Sequence, residues 1–385
     1  MGHVFRTETQ QLAVDALRRY LQAEVESLYN RDYRDRLVPK DVLGPIMRRL
    51  SEFGLVCGLV GEADGGLGLD WPTALMLFEE VAATSPDLSV PVAINTFGAH
   101  LLEKVAPEPL KARYLPGLVR GETFVSIAVS EPGAGSNPAE IRATARRDGD
   151  GWILNGEKTW ISNGTYSDFL ICTCRTGDDP RRGLTHFLLD REAHPYEVLE
   201  IAKVGYTSQS TTQIFLDDVR VPGENMVGPE GGALRNTLSL FESSRVFVAA
   251  QGVGIARRAL EEALRYTGER RQHGKVIAGH QLVAAMLAEM AVNVDAARLL
   301  TLRAAEMIGA GLPAEMEAAM AKYHAAEAAV TVSRQAVQLH GGNGISREFL
   351  VEKLARDALL VPIYEGTTQI QQLIIARALT GVAAF

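Results

Sequence analysis

Hydrophobic spacing changes twice along this chain, and that order restricts the fold more than any other feature. Residues 1–122 carry apolar side chains at helical spacing. Leu12, Asp15, Arg18 and Arg19 fall in one helical pattern and Pro45–Phe53 in a second. Pro72–Ala83 is a third, running through Leu75, Leu77 and Phe78 until Ser85-Pro86 stops it. The turn-rich segment EADGGLGLD lies between the second and third. Residues 123–230 switch to strand patterns: Phe124–Val129, Trp152–Leu154, Lys158–Ile161, Phe169–Cys174, Thr185–Leu189 and Ser210–Leu216. Turn signals at Asp148-Gly149-Asp150-Gly151 and Asn155-Gly156 separate several of them. Residues 231–385 are helical again. There Leu282, Met286, Met290, Val294 and Ala297 predict one buried stripe, ended by Gly309-Ala310-Gly311. The Ala-rich run Ala314–Leu339 stops at Gly341-Gly342, and a last helix is expected over Thr367–Leu379.

Helices, then short strands, then helices do not make a Rossmann or TIM fold, which alternates β and α. They suggest a small sheet or barrel flanked by helices packed on several sides, as in a bundle or an oligomer core. No G-x-G-x-x-G opens a βαβ unit: Gly252 and Gly254 lie in a helical pattern, and Glu131–Ser136 follows a strand with no helix behind it. The pattern therefore argues against a nicotinamide enzyme.

Composition narrows the class. With 385 residues, 46% apolar and 22% charged, the chain can bury a core without disulfides or a structural metal. A net charge of −8 argues against a duplex-binding surface. Three cysteines suit a reduced, intracellular protein. The start MGHVFRTETQQ has no apolar h-region, and no apolar run approaches the roughly 18 residues of a membrane span. A cytoplasmic location is expected, or a mitochondrial matrix one in a eukaryote.

Five segments could carry chemistry. Val129–Ser136 ends a strand, and its glycines and the Ser130 and Ser136 hydroxyls suit a phosphate or a polar ring edge, or else a tight surface turn. Trp160, in KTWISNG, could cover one face of a flat ring or fill the core. Glu365, before Gly366 and a helix start capped by Thr367 or Thr368, could be a general base in an apolar cleft, or a solvated loop carboxylate. Glu269–Gly274 with His280-Gln281 could pair phosphates or end a solvated helix. Gln338–Gly344 ends a helix, where glycines can serve only as caps. Cys172 and Cys174 read as buried apolar residues, not zinc ligands. Neither H-E-x-x-H nor G-x-S-x-G is present.

Taken together and in order, AVSEPGAGSN, NGEKTWISNG, LDDVRVPGENMVG, AEMAVNVDAAR, QLHGGNGI, VEKLARD and IYEGTTQIQ resemble the acyl-CoA dehydrogenase family of flavoproteins. The resemblance runs from the helix at Glu79 to the chain end. It implies an α+β, mainly α fold: an N-terminal helical domain (1–122), a middle β-barrel-like domain (123–230) and a C-terminal four-helix bundle (231–385). It implies FAD, a homotetramer or occasionally a dimer, and oxidation of an acyl-CoA thioester to its trans-2-enoyl product. Hydride would go to flavin N5, and electrons then to an electron-transferring flavoprotein.

Carried over by motif, Ser130 resembles the hydroxyl that meets the flavin ring, and Trp160 and Ser162 the residues on its other side. Gly135 and Ser136 resemble positions near the FAD pyrophosphate and the thioester ligand. Arg270 and Gln281 resemble FAD contacts from a neighbouring subunit, with Gln338 and Gly342 on the ADP side. Thr367 and Gln369 resemble further FAD contacts. Glu242 and Arg245 match positions near the CoA arm, and Tyr364 and Gly366 flank the substrate beside the base. Glu365 matches the base. Other members place the base one residue before the arginine matched by Arg245, and Ser244 stands there. The chain departs from the family at His273, usually Phe, and at Ile345, where an aromatic is common.

The segment Ser85–Gly98, near the acyl group in the family, holds no arginine to pair with a distal carboxylate. A monocarboxylic, apolar acyl chain is expected, short, medium or branched. The same fold also serves acyl-carrier-protein thioester oxidases, flavin monooxygenases, nitroalkane oxidases and flavin-bearing binding proteins. Glu365 argues against the monooxygenase and nitroalkane readings. The lack of a basic extension after Ala378 argues against the nucleic-acid-associated binding proteins.

Overall fold

A computed structural model describes residues 7–383. Residues 1–6 of the start MGHVFRTETQQ, on which the leader-peptide reading rests, and the last two residues of the chain lie outside this range. Helix α1 (Glu8–Tyr20) starts in a capping box: Thr7 Oγ1 accepts from the Gln10 N–H, and the Gln10 side chain accepts from the Thr7 N–H. Four more helices follow: α2 (Lys40–Glu52), α3 (Trp71–Thr84), α4 (Pro86–Val105) and α5 (Glu108–Val119). Ser85 stops α3 in extended backbone and also caps α4, its Oγ accepting from the Leu88 N–H at 3.3 Å. Pro86 fits that first turn because no N–H is needed there.

The middle of the chain is one curled sheet. Its strands are β1 (Val125–Ala128), β2 (Thr144–Asp148), β3 (Gly151–Ser162), β4 (Phe169–Arg175), β5 (Leu184–Asp190), β6 (Glu197–Glu200) and β7 (Thr211–Pro222). The spatial order is β1-β4-β2-β3-β7-β6, with β5 paired to β4. Strands β1 and β4 run parallel; β2–β3, β3–β7, β4–β5 and β6–β7 are antiparallel.

Two expectations change here. Asn155-Gly156 is no turn between strands but a bulge within β3. Gly156 has φ +142°, and a Cβ there would stand 2.6 Å from Ala143 Cβ, so the strand bends instead of reversing. Strand β2, TARRD, carries mostly exposed polar side chains, and β6, EVLE, is exposed at three of its four positions; neither shows the apolar alternation that would announce it.

The last part holds α6 (Ala233–Glu269), a hairpin of β8 (Arg271–Gln272) and β9 (Lys275–Val276), α7 (Gln281–Gly309), α8 (Glu315–His340), α9 (Leu350–Ala358) and α10 (Thr368–Thr380). Helices α6, α7, α8 and α10 form the bundle. Met290, Val294 and Ala297 lie in its core, but Leu282 is 83% exposed and Met286 half-buried. The predicted stripe is therefore buried only from Met290 onward. In the first turns of α7, Val283, Met286 and Leu287 pack partly against the bundle core while Leu282 stays exposed.

Buried charges tie the parts together. Arg257 and Arg298 both reach Glu79, and Arg257 and Arg18 reach Glu80, which joins α1, α3, α6 and α7. Lys353 on α9 bridges Asp87 on α4 and Asp357, the latter at 2.8 Å. Asp87 in turn accepts from the Ser208 N–H at 2.7 Å, and Asp357 from the Tyr206 N–H at 2.8 Å. Cys57, Cys172 and Cys174 are buried free thiols, which places Cys172 and Cys174 in the core as their sequence pattern predicted. Among the described residues no helix is long and apolar enough to cross a membrane, and no cluster of His, Cys, Asp or Glu could hold a metal ion.

Candidate active site

The link between α9 and α10 turns sharply at two residues in the left-handed region. Glu365 has φ +52° and Gly366 φ +85°. A non-glycine residue held there stores strain and persists only where its surroundings over-determine it. They do so here. The Thr368 N–H closes the turn on the Pro362 carbonyl at 2.9 Å. Thr367 caps α10, its Oγ1 accepting from the Ile370 N–H at 3.3 Å. Gln371 Nε2 donates to the carbonyls of Glu365 at 3.2 Å and Gly366 at 2.9 Å. Lys322 Nζ, from α8, donates to the Gly366 carbonyl at 2.8 Å.

The Glu365 carboxylate meets α6. Ser244 Oγ donates to its Oε2 at 2.6 Å. Burial pushes the Glu365 carboxyl above its ordinary range; the Ser244 hydrogen bond and the charges of Arg245 and Lys322 offset that only in part. Arg245 is buried, and among the described residues its Nε has no hydrogen-bond partner. Burial lowers its pKa, against the pull of Glu315, Glu365 and Glu242. Glu242 is half-buried on the same helix.

Beside the base, the Tyr364 hydroxyl lies 3.0 Å from that of Tyr206 and donates to Gln251 Oε1. Gln251 Nε2 reaches Ser89 Oγ on α4 at 2.5 Å. Burial raises Asp357 to about 6, although Lys353 pulls it the other way. Residues from all three parts of the chain thus brace the link that carries Glu365.

The second group lies on the sheet. Glu131 and Lys158 form a buried ion pair at 2.7 Å. Glu131 also accepts from the N–H groups of Arg142 (2.7 Å) and Ala143 (2.9 Å), which folds the Ser130–Ser136 turn back onto β2. The Thr159 N–H donates to the Ser130 carbonyl at 3.0 Å, so Ser130 stands beside Trp160. Trp160 is 61% exposed, at φ +61°, where β3 slips register. The core placement left open by sequence is ruled out. Ser130 and Ser162 are half-buried; Gly135 and Ser136 are exposed. Space is open around Gly133 and Gly135, where an added Cβ meets nothing within 4 Å. An outward indole, hydroxyls and accessible backbone fit a flat ring and a pyrophosphate.

Arg270, Gln281, Gln338 and Gly342 are exposed together at the far end of the bundle. There the His340 ring stacks on Tyr266 at 4.2 Å, and Asn343 Nδ2 donates to the Tyr266 hydroxyl at 3.1 Å, which holds the ends of α6 and α8 side by side. Among the described residues, no hydrogen bond or ion pair joins this group to Ser130 or Trp160. His273 and Ile345 are exposed near the same end. Gln369 is exposed in the first turn of α10.

Sequence reasoning missed Lys322, Gln371, Glu131 and Lys158. The signal at Lys322 was a lone lysine on the apolar face of an Ala-rich helix. The Glu131–Lys158 pair spans two motifs whose charges were not matched to each other.

A sheet that offers an outward tryptophan, and helices that hold a half-buried carboxylate, divide the work as a flavin-dependent oxidoreductase does. Three family models match the chain in order: acyl-CoA dehydrogenase N-terminal domain at 7–122, middle domain at 126–219 and C-terminal domain at 232–380. The chain belongs to the acyl-CoA dehydrogenase family, whose members are flavoprotein oxidoreductases acting on CH–CH groups. It is 38% identical to the protein described as probable acyl-CoA dehydrogenase FadE25 of Mycobacterium tuberculosis, over 86% of each chain. Butyryl-CoA dehydrogenase of Megasphaera elsdenii has the same fold (TM-score 0.93, 28% identity, 98% of this chain and 100% of that one). So does a Mycobacterium smegmatis glutaryl-CoA dehydrogenase in complex with FADH2 (TM-score 0.92, 26% identity, 99% and 96%).

Proposed function

We propose that this chain oxidises an acyl-CoA thioester to the trans-2-enoyl-CoA, with Glu365 as the base that removes the α-proton. The contact that supports this reading most is Ser244 Oγ on Glu365 Oε2 at 2.6 Å, in a link braced at both carbonyls. The carboxylate is aimed by α6, and its partial burial makes it a stronger base than one in water. A thioester α-C–H is too weak an acid unless negative charge on the thioester oxygen is stabilised as it forms. Among the described residues no acceptor engages the Glu365 N–H, which leaves it free to donate there. Arg245, whose Nε is unpartnered among the described residues, would meet the CoA arm together with Glu242, and Ser136, Tyr364 and Gly366 would border the thioester and acyl group.

Bound FAD supplies the acceptor for the β-hydrogen as hydride. Ser130, Gly135, Ser136, Trp160 and Ser162 would hold its ring and pyrophosphate. Thr367 and Gln369 would contact it beside the base. Arg270, Gln281, Gln338 and Gly342, remote from Trp160 in the chain, would serve the FAD of a neighbouring subunit. The exposed apolar side chains Leu282, Val292 and Leu299 on α7 support a homotetramer through the bundle. An electron-transferring flavoprotein would take up the electrons. The three units 1–122, 123–230 and 231–385 would then share one composite site.

Helix α4 carries no arginine in its buried half, which favours a monocarboxylic acyl chain over a glutaryl group. The test is an anaerobic screen of the purified yellow protein for flavin bleaching. Butyryl-CoA or octanoyl-CoA should bleach it and glutaryl-CoA should not; bleaching by glutaryl-CoA alone overturns the acyl assignment. Bleaching only by an acyl-carrier-protein thioester would move the substrate to that carrier. Glu365→Gln should keep its flavin and lose most turnover; near wild-type turnover would sink the base assignment.

A further inference from the structure

Lys322 is fully buried in α8, yet among the described residues no carboxylate lies within ion-pair distance of its ammonium group. A buried lysine is rarely kept without a paired charge, because desolvation penalises it heavily. Among the described residues its one hydrogen bond goes to the Gly366 carbonyl at 2.8 Å, on the residue after the proposed base. We propose that Lys322 is a positioning residue for the reaction: its ammonium group pins the left-handed Glu365–Gly366 turn through the Gly366 carbonyl and, with Arg245, supplies the positive charge that keeps the Glu365 carboxylate ionised in its half-buried setting. The inference rests on Glu365 being the base.

The surrounding charges are few and can be named. From α6 come Glu242 and Arg245, from α8 Glu315, Lys322 and Glu327, and from α10 Arg377. Glu315, Glu242 and Arg377 act on Arg245, Glu327 acts on Lys322, and both cations act on Glu365. Only Arg245 and Lys322 lower the carboxyl through charge. Burial brings Lys322 itself down to about 8, which Glu365 partly counters. Gln371 donates to the same Gly366 carbonyl at 2.9 Å but is neutral. The pair therefore separates a geometric clamp from a charge.

The experiment is the pH profile of flavin reduction by acyl-CoA in the FAD-loaded oligomer, for wild type, Lys322→Met, Gln371→Met and Glu365→Gln. Flavin content and melting temperature are measured beside it. Lys322→Met should slow reduction somewhat at every pH, because the donor to the Gly366 carbonyl is lost, and also move the acid limb up by about one pH unit, so that the deficit is about tenfold larger below the limb than above it. KM should change little. Gln371→Met should slow reduction at every pH and leave the limb in place. An unmoved limb in Lys322→Met, or an equal loss at all pH values, overturns the proposal. If Lys322→Met fails to fold, Lys322→Gln carries the test, since it keeps an N–H donor and removes only the charge. The same upward shift is expected of it, and an unmoved limb overturns the proposal. Glu365→Gln separates the two readings: an inactive variant alongside an unmoved Lys322 limb rejects only the role of Lys322, whereas an active one rejects the base itself.

Discussion

Ser244 stands one residue before Arg245, and its hydroxyl lies 2.6 Å from the carboxylate of Glu365. By the resemblance to the family, Ser244 stands where some members carry the base. The proposed base and the residue at that alternative position therefore meet in space here, the hydroxyl of one on the carboxylate of the other. Removing the hydroxyl in Ser244→Ala withdraws a hydrogen bond that stabilises the ionised form, so the Glu365 pKa rises further. As the proposed base, Glu365 works ionised. The acid limb of kcat/KM should move to higher pH, with a loss of about three- to tenfold near neutrality. Stopped-flow flavin reduction across pH 5–9 checks it; an unchanged limb would show that the contact does not tune the base.

Gly366 cannot be replaced cheaply. Its φ is +85°, and a Cβ would stand 2.6 Å from Gln371 Nε2, one of the two donors that hold the turn. Gly366→Ala should cost about 1–2 kcal/mol of backbone strain and displace the Gln371 amide. Turnover should fall at least tenfold with the flavin retained. Melting temperature and kcat measured on one preparation check both parts.

Lys158 and Glu131 are buried partners under the Ser130–Ser136 turn. Lys158→Met strands a buried carboxylate, which costs about 3–5 kcal/mol. The Glu131 contacts to Arg142 and Ala143 should loosen, and the turn with them. The expected result is a lower melting temperature and protein purified with substoichiometric flavin. Full flavin occupancy would show that the pair does not shape the cofactor turn.

His186 is buried between Thr173, 2.9 Å from its Nδ1, and Thr237, 3.5 Å from its Nε2. Burial, with the charge of Lys158, brings its pKa from the ordinary 6.5 to about 4. Because the folded state holds the neutral ring, its stability contribution is complete above pH 6.5 and is lost as pH falls toward 4. By pH 5 the loss from this group amounts to roughly 2 kcal/mol. His100, also brought to about 4, adds to the same window. Denaturant unfolding at pH 7 and pH 5 should show the drop, and His186→Gln should reduce it.

What the sequence determined by itself is local or ordered. Periodicity of 3.6 or 2 is written in neighbouring residues, so the helix–sheet–helix succession, the α8 span and a cap at Thr367 or Thr368 were all legible. The motifs, read in order, implied the family because each keeps its chemistry in a short run. Where a strand is polar, as in β2, or bulged, as at Gly156, the local signal fails, because pairing and close packing against Ala143 decide it. The first turns of α7 carry the right spacing yet Leu282 stays exposed, since spacing says which face is apolar and not what covers it. The site was decided by tertiary structure. Ser244 and Glu365 are 121 positions apart, and Lys322 and Gly366 are 44 apart. No local pattern encodes those approaches. They follow from how α6 and α8 pack, which brings a hydroxyl and an ammonium group from two helices onto one strained turn.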